Sequence, residues 1–396
     1  MKSACGPSEA PEEGRPPSES ERGWGPASTE KRGLVLRLIP FIAACLVAVS
    51  PSAQTKKTLD IYLVDTEGGK ATLYVSPSGQ TLLIDTGNPG ERDTGRIMQV
   101  LGEAGVKQID YLVLTHYHVD HIGGLQEIAK RIPIAHFIDH GPTVEDKEQV
   151  AGFQSAYAEL RGKAKHSVVK PGDRVPIAGI DFRIVSSGAA TLKKALPGGG
   201  RPNPACADAK KKEDAPAPDE NDQSVGSLIT YGQFRAIDLG DLMWNRELEL
   251  ICPNNPVGSV DLYVATHHGI SASGAPALVH GVRPRVAVMH NGMRKGGTVQ
   301  TYQILRSSPG LEDIWQMHWS YNGGVEHNPA GVFIANVDEP ATIAGVLTAA
   351  PGSAPQPPTS PAHTPAHYLK IAAEADGTFT VTNTRNGFKK VYRKLT

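Results

Sequence analysis

The chain has 396 residues, 40 of them Lys or Arg and 41 Asp or Glu, for a formal net charge of −1. With 39% hydrophobic and 20% charged residues it can bury a large core, which excludes a disordered or fibrous protein. The balanced charge also argues against a general nucleic-acid binder, which is normally clearly basic.

Residues 1–30 are polar and rich in Pro, Gly and Glu, and read as a disordered leader or an over-extended start. Lys31-Arg32 then precede an apolar run over 34–49, interrupted by Arg37 and Pro40, and small residues follow at 50–53. Residues 31–53 are expected to be a secretory signal peptide. The run is too short and broken for a membrane span, so none is expected after cleavage. Cleavage removes six basic and six acidic residues and leaves 34 against 35. The expected location is secreted or periplasmic. Of four Cys, Cys206 and Cys252 lie beyond the signal; in an oxidising compartment they either pair or remain free thiols.

Expected strands at 59–64 and 71–75 flank Glu67-Gly68-Gly69, and a third at 81–84 ends in Asp85-Thr86-Gly87. Helical spacing over 95–105 puts Ile97, Val100 and Leu101 on one core-facing side. A strand at 109–114 runs into Thr115-His116-Tyr117-His118-Val119-Asp120-His121-Ile122-Gly123-Gly124, with a helix expected at 125–131. Three imidazoles and a carboxylate within six residues at a strand end suit a borderline metal such as zinc. Neighbouring side chains diverge, so one ion cannot easily use all four. His116 and His118 are expected to serve one ion, and Asp120 and His121 a second about 3.5–4 Å away.

A strand at 134–138, a helix at 147–163 and a hairpin at 175–177 and 181–185 complete one half. Residues 189–222, with glycines at 198–200 and the run Lys210-Lys211-Lys212, read as a mobile insertion. The second half repeats the logic with strands at 228–231, 234–239, 260–266 and 285–289 and helices at 275–281 and 298–307. Two of its strand ends carry chemistry: Asp238-Leu239-Gly240-Asp241 and His267-His268-Gly269. In the loop at 290–297, Asn291 and Lys295 suit recognition of a phosphate or carboxylate. Trp315, His318, Trp319 and Tyr321 form an aromatic group that either walls a pocket or packs in the core. Residues 349–365 are a Pro-rich linker. Strands at 368–373, 378–382 and 388–392, joined by Asp376-Gly377 and Asn386-Gly387 turns, form a small β unit at 366–396 beside a catalytic domain at 57–347.

The order Asp-Thr-Gly, His-x-His-x-Asp-His, Gly-Asp and His-His-Gly resembles the metallo-β-lactamase superfamily over roughly 59–336. The resemblance implies an α+β fold, an αββα four-layer sandwich. It implies two divalent ions, zinc with manganese or iron as alternatives, held by His116, His118, Asp120, His121, Asp241 and His268. Asp241 would bridge the ions, Asp85 would shape the metal loop by hydrogen bonding, and Asp238 would be structural. Of the His pair, His268 is favoured as ligand because Gly269 follows it. His267 then supports the site from behind or donates a proton to the leaving group. Many members carry a further His in a Gly-His-Thr-like turn, absent here. With Asp-Leu-Gly-Asp and His-His-Gly, that absence resembles the ComEC-like branch, named for the nuclease domain of the competence DNA-uptake protein. Asn221 or Asp222 then takes the vacant corner, or His140 swings in; His140 reads equally well as a plain loop residue.

The implied function is a secreted dinuclear hydrolase in which a metal-bridging hydroxide, oriented by Asp120, attacks a carbonyl or phosphoryl centre. Small or nucleotide-like anionic phosphodiesters fit the branch, with no stable nucleic-acid complex expected. Lactone or amide hydrolysis, β-lactams included, is the second enzyme class. A metal-binding module without catalysis is the third reading. Metal content separates the third from the other two, and leaving-group chemistry separates those.

Overall fold

The computed structural model describes residues 57–145, 148–213, 219–348 and 363–394. The expected leader, the signal peptide and most of the Pro-rich linker lie outside the described residues. Among the described residues no helix is long and apolar enough to cross a membrane.

Two mixed sheets face each other. In the first, Leu59–Leu63, Thr72–Val75 and Thr81–Ile84 run antiparallel. Tyr111–Val113, His136–Asp139 and Lys165–Val168 then add in parallel. In the second, Arg174–Val175, Asp181–Ser187, Gly226–Tyr231 and Phe234–Asp238 are antiparallel neighbours. Leu262–Val264, Val286–Met289, Asp313–His318 and Ile334–Asn336 follow in parallel. Apart from the edge strand Lys165–Val168, the parallel strands are largely buried on both faces, which is why Leu112-Val113, Leu262–Val264 and Val286–Met289 are continuous apolar runs rather than alternating ones. Ile84, Val113, Val264 and Val288 fill the core between the sheets with Phe182 and Ile229. Leu83 and Leu112 point outward onto the helices Glu91–Glu103 and Leu125–Arg131 through Ile97, Val100, Leu101 and Ile128. Ile237, Tyr263 and Ala287 do the same on the other side, against Trp244–Ile251, Pro276–Val282 and Val299–Arg306. Three parallel layers of apolar contact therefore separate four layers of structure, the expected αββα arrangement.

The three C-terminal strands do not form a unit beside the domain. Leu369–Ala373 pairs antiparallel with Leu59–Leu63, and Phe379–Asn383 and Lys389–Tyr392 continue the first sheet. The reason is that Leu59, Ile61 and Leu63 are fully buried. Without a neighbour they would leave an apolar strand with an open hydrogen-bonding edge. Trp315 belongs to this join rather than to a pocket wall: its indole N–H donates to Tyr392 Oη at 2.9 Å, and its ring packs on Phe333 and Phe388.

The stretch expected to be a mobile insertion is anchored over 189–213. Arg201–Pro202 pairs with Asn254–Asn255, and Leu196 N–H donates to Pro256 O at 2.9 Å. Cys206 and Cys252 form a disulfide with Cα atoms 5.7 Å apart, 46 residues apart in sequence. Closing a loop of that length stabilises a fold by up to about 4 kcal/mol. Reduction should therefore lower the urea midpoint of the wild-type protein and leave Cys206→Ser/Cys252→Ser unchanged. An equal response in both would rule out this role.

Candidate metal centre

The site residues leave the carboxyl ends of adjacent parallel strands, the edge at which open α/β sheets place ligands. Asp85 follows Ile84, the His-rich segment follows Val113, Asp241 follows Asp238, and His267-His268 follow Val264. The local backbone is specialised. Asp85, His267 and His268 hold φ values of 60°, 54° and 54°, in the left-handed region that non-glycine residues adopt at a cost. The turn at His268 is held by Gly296 and Gly297: Gly297 N–H donates to His268 O at 3.2 Å, and a Cβ on Gly296 would lie 1.8 Å from that oxygen. Neither role has a one-residue sequence signature.

Hydrogen bonds behind the imidazoles assign which nitrogen of each faces the centre. Asp85 accepts from Thr115 N–H at 2.8 Å and from Thr115 Oγ1 at 2.7 Å, and its Oδ2 lies 2.7 Å from His121 Nδ1. That leaves His121 Nε2 bare. His268 Nδ1 donates to His290 O at 3.1 Å, which leaves its Nε2 bare. The two bare nitrogens stand 3.2 Å apart, and each is 3.2 Å from Asp241 Oδ2. Asp120 Oδ2 lies 3.3 Å from His121 Nε2 and 3.2 Å from His268 Nε2. The four ligand atoms of Asp120, His121, Asp241 and His268 all fall within 4.8 Å of one another.

His116 and His118 make a second convergence. His116 Nδ1 lies 3.1 Å from Thr115 Oγ1, and His118 Nε2 lies 3.3 Å from Glu145 Oε1. Their remaining nitrogens, His116 Nε2 and His118 Nδ1, face each other at 3.0 Å. His116 Nε2 is also 4.0 Å from Asp241 Oδ2. Two imidazole lone pairs at that distance repel unless a cation or proton lies between them. Asp241 Oδ1 is buried and has no hydrogen-bond partner among the described residues. The residues therefore fit two ions, with the Asp241 carboxylate reaching both sets.

Electrostatics point the same way. Burial alone would raise the pKa of Asp120 and Asp241, but the facing His121 and His268 outweigh it and hold both well below the usual carboxylate range. Burial would lower His121, yet Asp241, Asp120 and Asp85 push it well above its ordinary value. Burial, reinforced by the charge on His121, pushes His116 well below its ordinary value. Burial likewise lowers His267, whose Nε2 is 3.5 Å from Asp241 Oδ2 and whose Nδ1 is 3.2 Å from Ser273 Oγ.

Residues 64–201 match the metallo-beta-lactamase superfamily. This chain carries a metallo-beta-lactamase domain. Members of that superfamily are metal-dependent hydrolases that bind two metal ions. It is 26% identical over 262 residues to competence protein ComA of Neisseria gonorrhoeae, covering 66% of this chain and 31% of that protein. It is 24% identical over 284 residues to ComE operon protein 3 of Bacillus subtilis, covering 66% and 32%. It is 36% identical over 117 residues to ribonuclease Z of Methanopyrus kandleri, covering 28% and 37%. The chain thus matches about a third of the length of these relatives.

Around this centre some expected residues sit elsewhere. Asn291 is fully buried: its amide nitrogen donates to His318 O at 2.8 Å and Gly292 O at 3.1 Å, so it braces the loop instead of facing a substrate. His140 does not swing toward the vacant corner. Its Nε2 lies 2.9 Å from Glu220 Oε1, and its ring packs 4.5 Å from Tyr117, on the helical side of the first sheet. Asp222 Oδ2 lies 3.4 Å from Arg246 Nε. Lys295 does reach the centre, with Nζ against Asp120 Oδ2.

Two contributors escaped the sequence reading. Glu220 is fully buried and accepts from Tyr117 N–H at 3.2 Å, Thr143 Oγ1 at 2.9 Å and Val144 N–H at 3.0 Å, which ties the metal loop to residues 140–144. Lys70 is buried against Asp238, whose Oδ1 also accepts from Gly240 N–H at 3.0 Å, next to Asp241.

Proposed function

We propose that this protein is an exported dinuclear zinc hydrolase of phosphodiester bonds, acting on small or nucleotide-like anions. The observation that carries the reading is Lys295. It places a flexible, partly exposed ammonium beside Asp120 at the rim of an otherwise buried ligand set. A cation there suits a non-bridging phosphate oxygen. The ribonuclease name of one relative supports the bond type, and the nitrogen and carboxylate donor set supports zinc. The Cys206–Cys252 disulfide supports an oxidising compartment, and so export.

His116, His118 and Asp241 would hold one ion, and Asp120, His121, Asp241 and His268 the other. When bound, the pair supplies Lewis acidity and makes water acidic enough to attack at neutral pH. The chain's residues do the rest. Asp85 and the carbonyl of His290 fix the imidazoles behind the ligands. Asp120 orients the attacking water, and Lys295 binds the substrate's charge. His267, at the Asp241 carboxylate, hands a proton to the leaving oxygen.

The test is turnover of bis(p-nitrophenyl) phosphate by residues 54–396 loaded with zinc or manganese, with Asp120→Ala as control. Metal-dependent turnover lost in the control is the expected result. No turnover by protein whose catalytic ions are bound would move the assignment to lactone and amide substrates.

A further inference from the structure

Away from the catalytic ligands, a second group of donors converges under the loop that carries Asp65 and Glu67. His318, at the end of Asp313–His318, is fully buried. Its Nε2 lies 2.7 Å from Asp65 Oδ1 and 3.7 Å from Glu67 Oε2. His363 opens the last described stretch; its Nδ1 lies 3.5 Å from Glu67 Oε1, and the two imidazole rings are 4.9 Å apart. Three segments remote in sequence thus each bring one donor, and the three ligand atoms fall within 4.8 Å of one another.

The surroundings orient these donors. His363 Nε2 is 3.0 Å from Asp338 Oδ1, and its buried Nδ1, with no hydrogen-bond partner among the described residues, faces Glu67. A cation or a proton between that nitrogen and the carboxylate offsets the negative charge. Separations of 3.5 Å from His363 Nδ1 to Glu67 Oε1 and 3.7 Å from His318 Nε2 to Glu67 Oε2 leave room for one ion at bonds of about 2.0–2.2 Å. Arg96 takes the far side of both carboxylates, 2.9 Å from Asp65 Oδ2 and 3.1 Å from Glu67 Oε1. It offsets one of the two negative charges and leaves Glu67 Oε2 and Asp65 Oδ1 turned toward His318. Two imidazoles with a carboxylate form a donor set that zinc takes in proteins.

We propose that Glu67, His318 and His363 form a site for a third divalent cation, zinc by its donor chemistry. Its role is to fasten the returning C-terminal segment to the catalytic floor. Glu67 is followed by Gly68 and Gly69; a Cβ on Gly69 would lie 2.7 Å from Asp120 O, and Lys70 N–H donates to that same oxygen at 3.1 Å. A cation at Glu67 therefore pins the turn on which Asp120 rests, while touching neither the catalytic ions nor the substrate.

The test counts zinc per chain after equilibration with the free metal and removal of excess. Wild type should hold about three, and His363→Ala and Glu67→Gln about two each. Asp120→Ala should lose catalytic zinc yet keep the ion that His363→Ala loses. Zinc titration of the metal-free proteins, followed by thermal melting, should raise the Tm of wild type further than that of His363→Ala. Two ions in wild type, or an unchanged count in His363→Ala, would overturn the site and leave a proton-held ion network in its place. The count does not depend on hydrolysis of any substrate, so the phosphodiester reading can fail without it.

Discussion

Asp241→Ala should lower kcat/KM on any hydrolysable substrate by on the order of 10³-fold or more. The argument rests on reach. Asp241 Oδ2 stands 3.2 Å from both His121 Nε2 and His268 Nε2, 3.5 Å from His267 Nε2 and 4.0 Å from His116 Nε2, and Oδ1 has no hydrogen-bond partner among the described residues. One carboxylate is thus shared by both ligand sets. Its loss strips a donor from each ion and moves both. Metal Lewis acidity contributes several kcal/mol, and each 1.36 kcal/mol is tenfold in rate. The fold should survive, because the side chain holds no neighbour of the core in place; its backbone N–H donates to Ser224 Oγ at 3.2 Å and remains. Steady-state kinetics, metal analysis and far-UV circular dichroism on one preparation decide the matter. Near-normal turnover, or the full wild-type metal content retained at unchanged affinity, would remove Asp241 from the centre.

The ligands were legible in the sequence for a physical reason. Each sits directly after a short, doubly buried parallel strand, and such strands are continuous apolar runs that stop where the chain reaches the sheet edge. Position thus brought His116, His118, Asp120, His121, Asp241 and His268 to sheet edges, and the superfamily resemblance singled them out as candidate ligands. The residues behind them could not. Glu220 and Lys70 act through contacts across 103 and 168 positions, with Tyr117 and Asp238, and no periodicity carries such pairs. Asn291 shows the converse: a strand-end amide reads as a substrate contact until the fold closes His318 over it. The C-terminal strands were visible through their Asp-Gly and Asn-Gly turns, but their partner, Leu59–Leu63, lies some 300 residues upstream in register with Leu369–Ala373. Turn chemistry fixes hairpins and says nothing about which distant edge they close.

Lys70→Met should destabilise the protein by about 3–5 kcal/mol, the cost of leaving one partner of a buried pair uncompensated. Lys70 and Asp238 are 3% and 1% exposed. Burial acts to lower the lysine pKa, but the charge of Asp238, with help from Asp85 and Asp241, raises it instead, so the ammonium persists. Removing it strands Asp238, buried near Tyr74, without its partner. The loss should also exceed what stability alone explains. Lys70 N–H donates to Asp120 O at 3.1 Å, Gly87 N–H donates to Lys70 O at 2.9 Å, and the ammonium holds the carboxylate that accepts from Gly240 N–H. A single residue therefore ties the Asp85, Asp120 and Asp241 loops together across two sheets. Urea titration of Lys70→Met, Asp238→Leu and the double variant separates the contributions. The double variant should recover most of the stability, since an apolar pair of similar volume replaces a desolvated ion pair with little net cost. Its turnover should stay depressed, because Gly240 then has no carboxylate to accept its N–H and Asp241 is no longer held in place. A Lys70→Met protein within about 1 kcal/mol of wild type would mean that Asp238 accepts a proton or a water without strain. The two sheets would then be joined at the metal centre by backbone contacts alone.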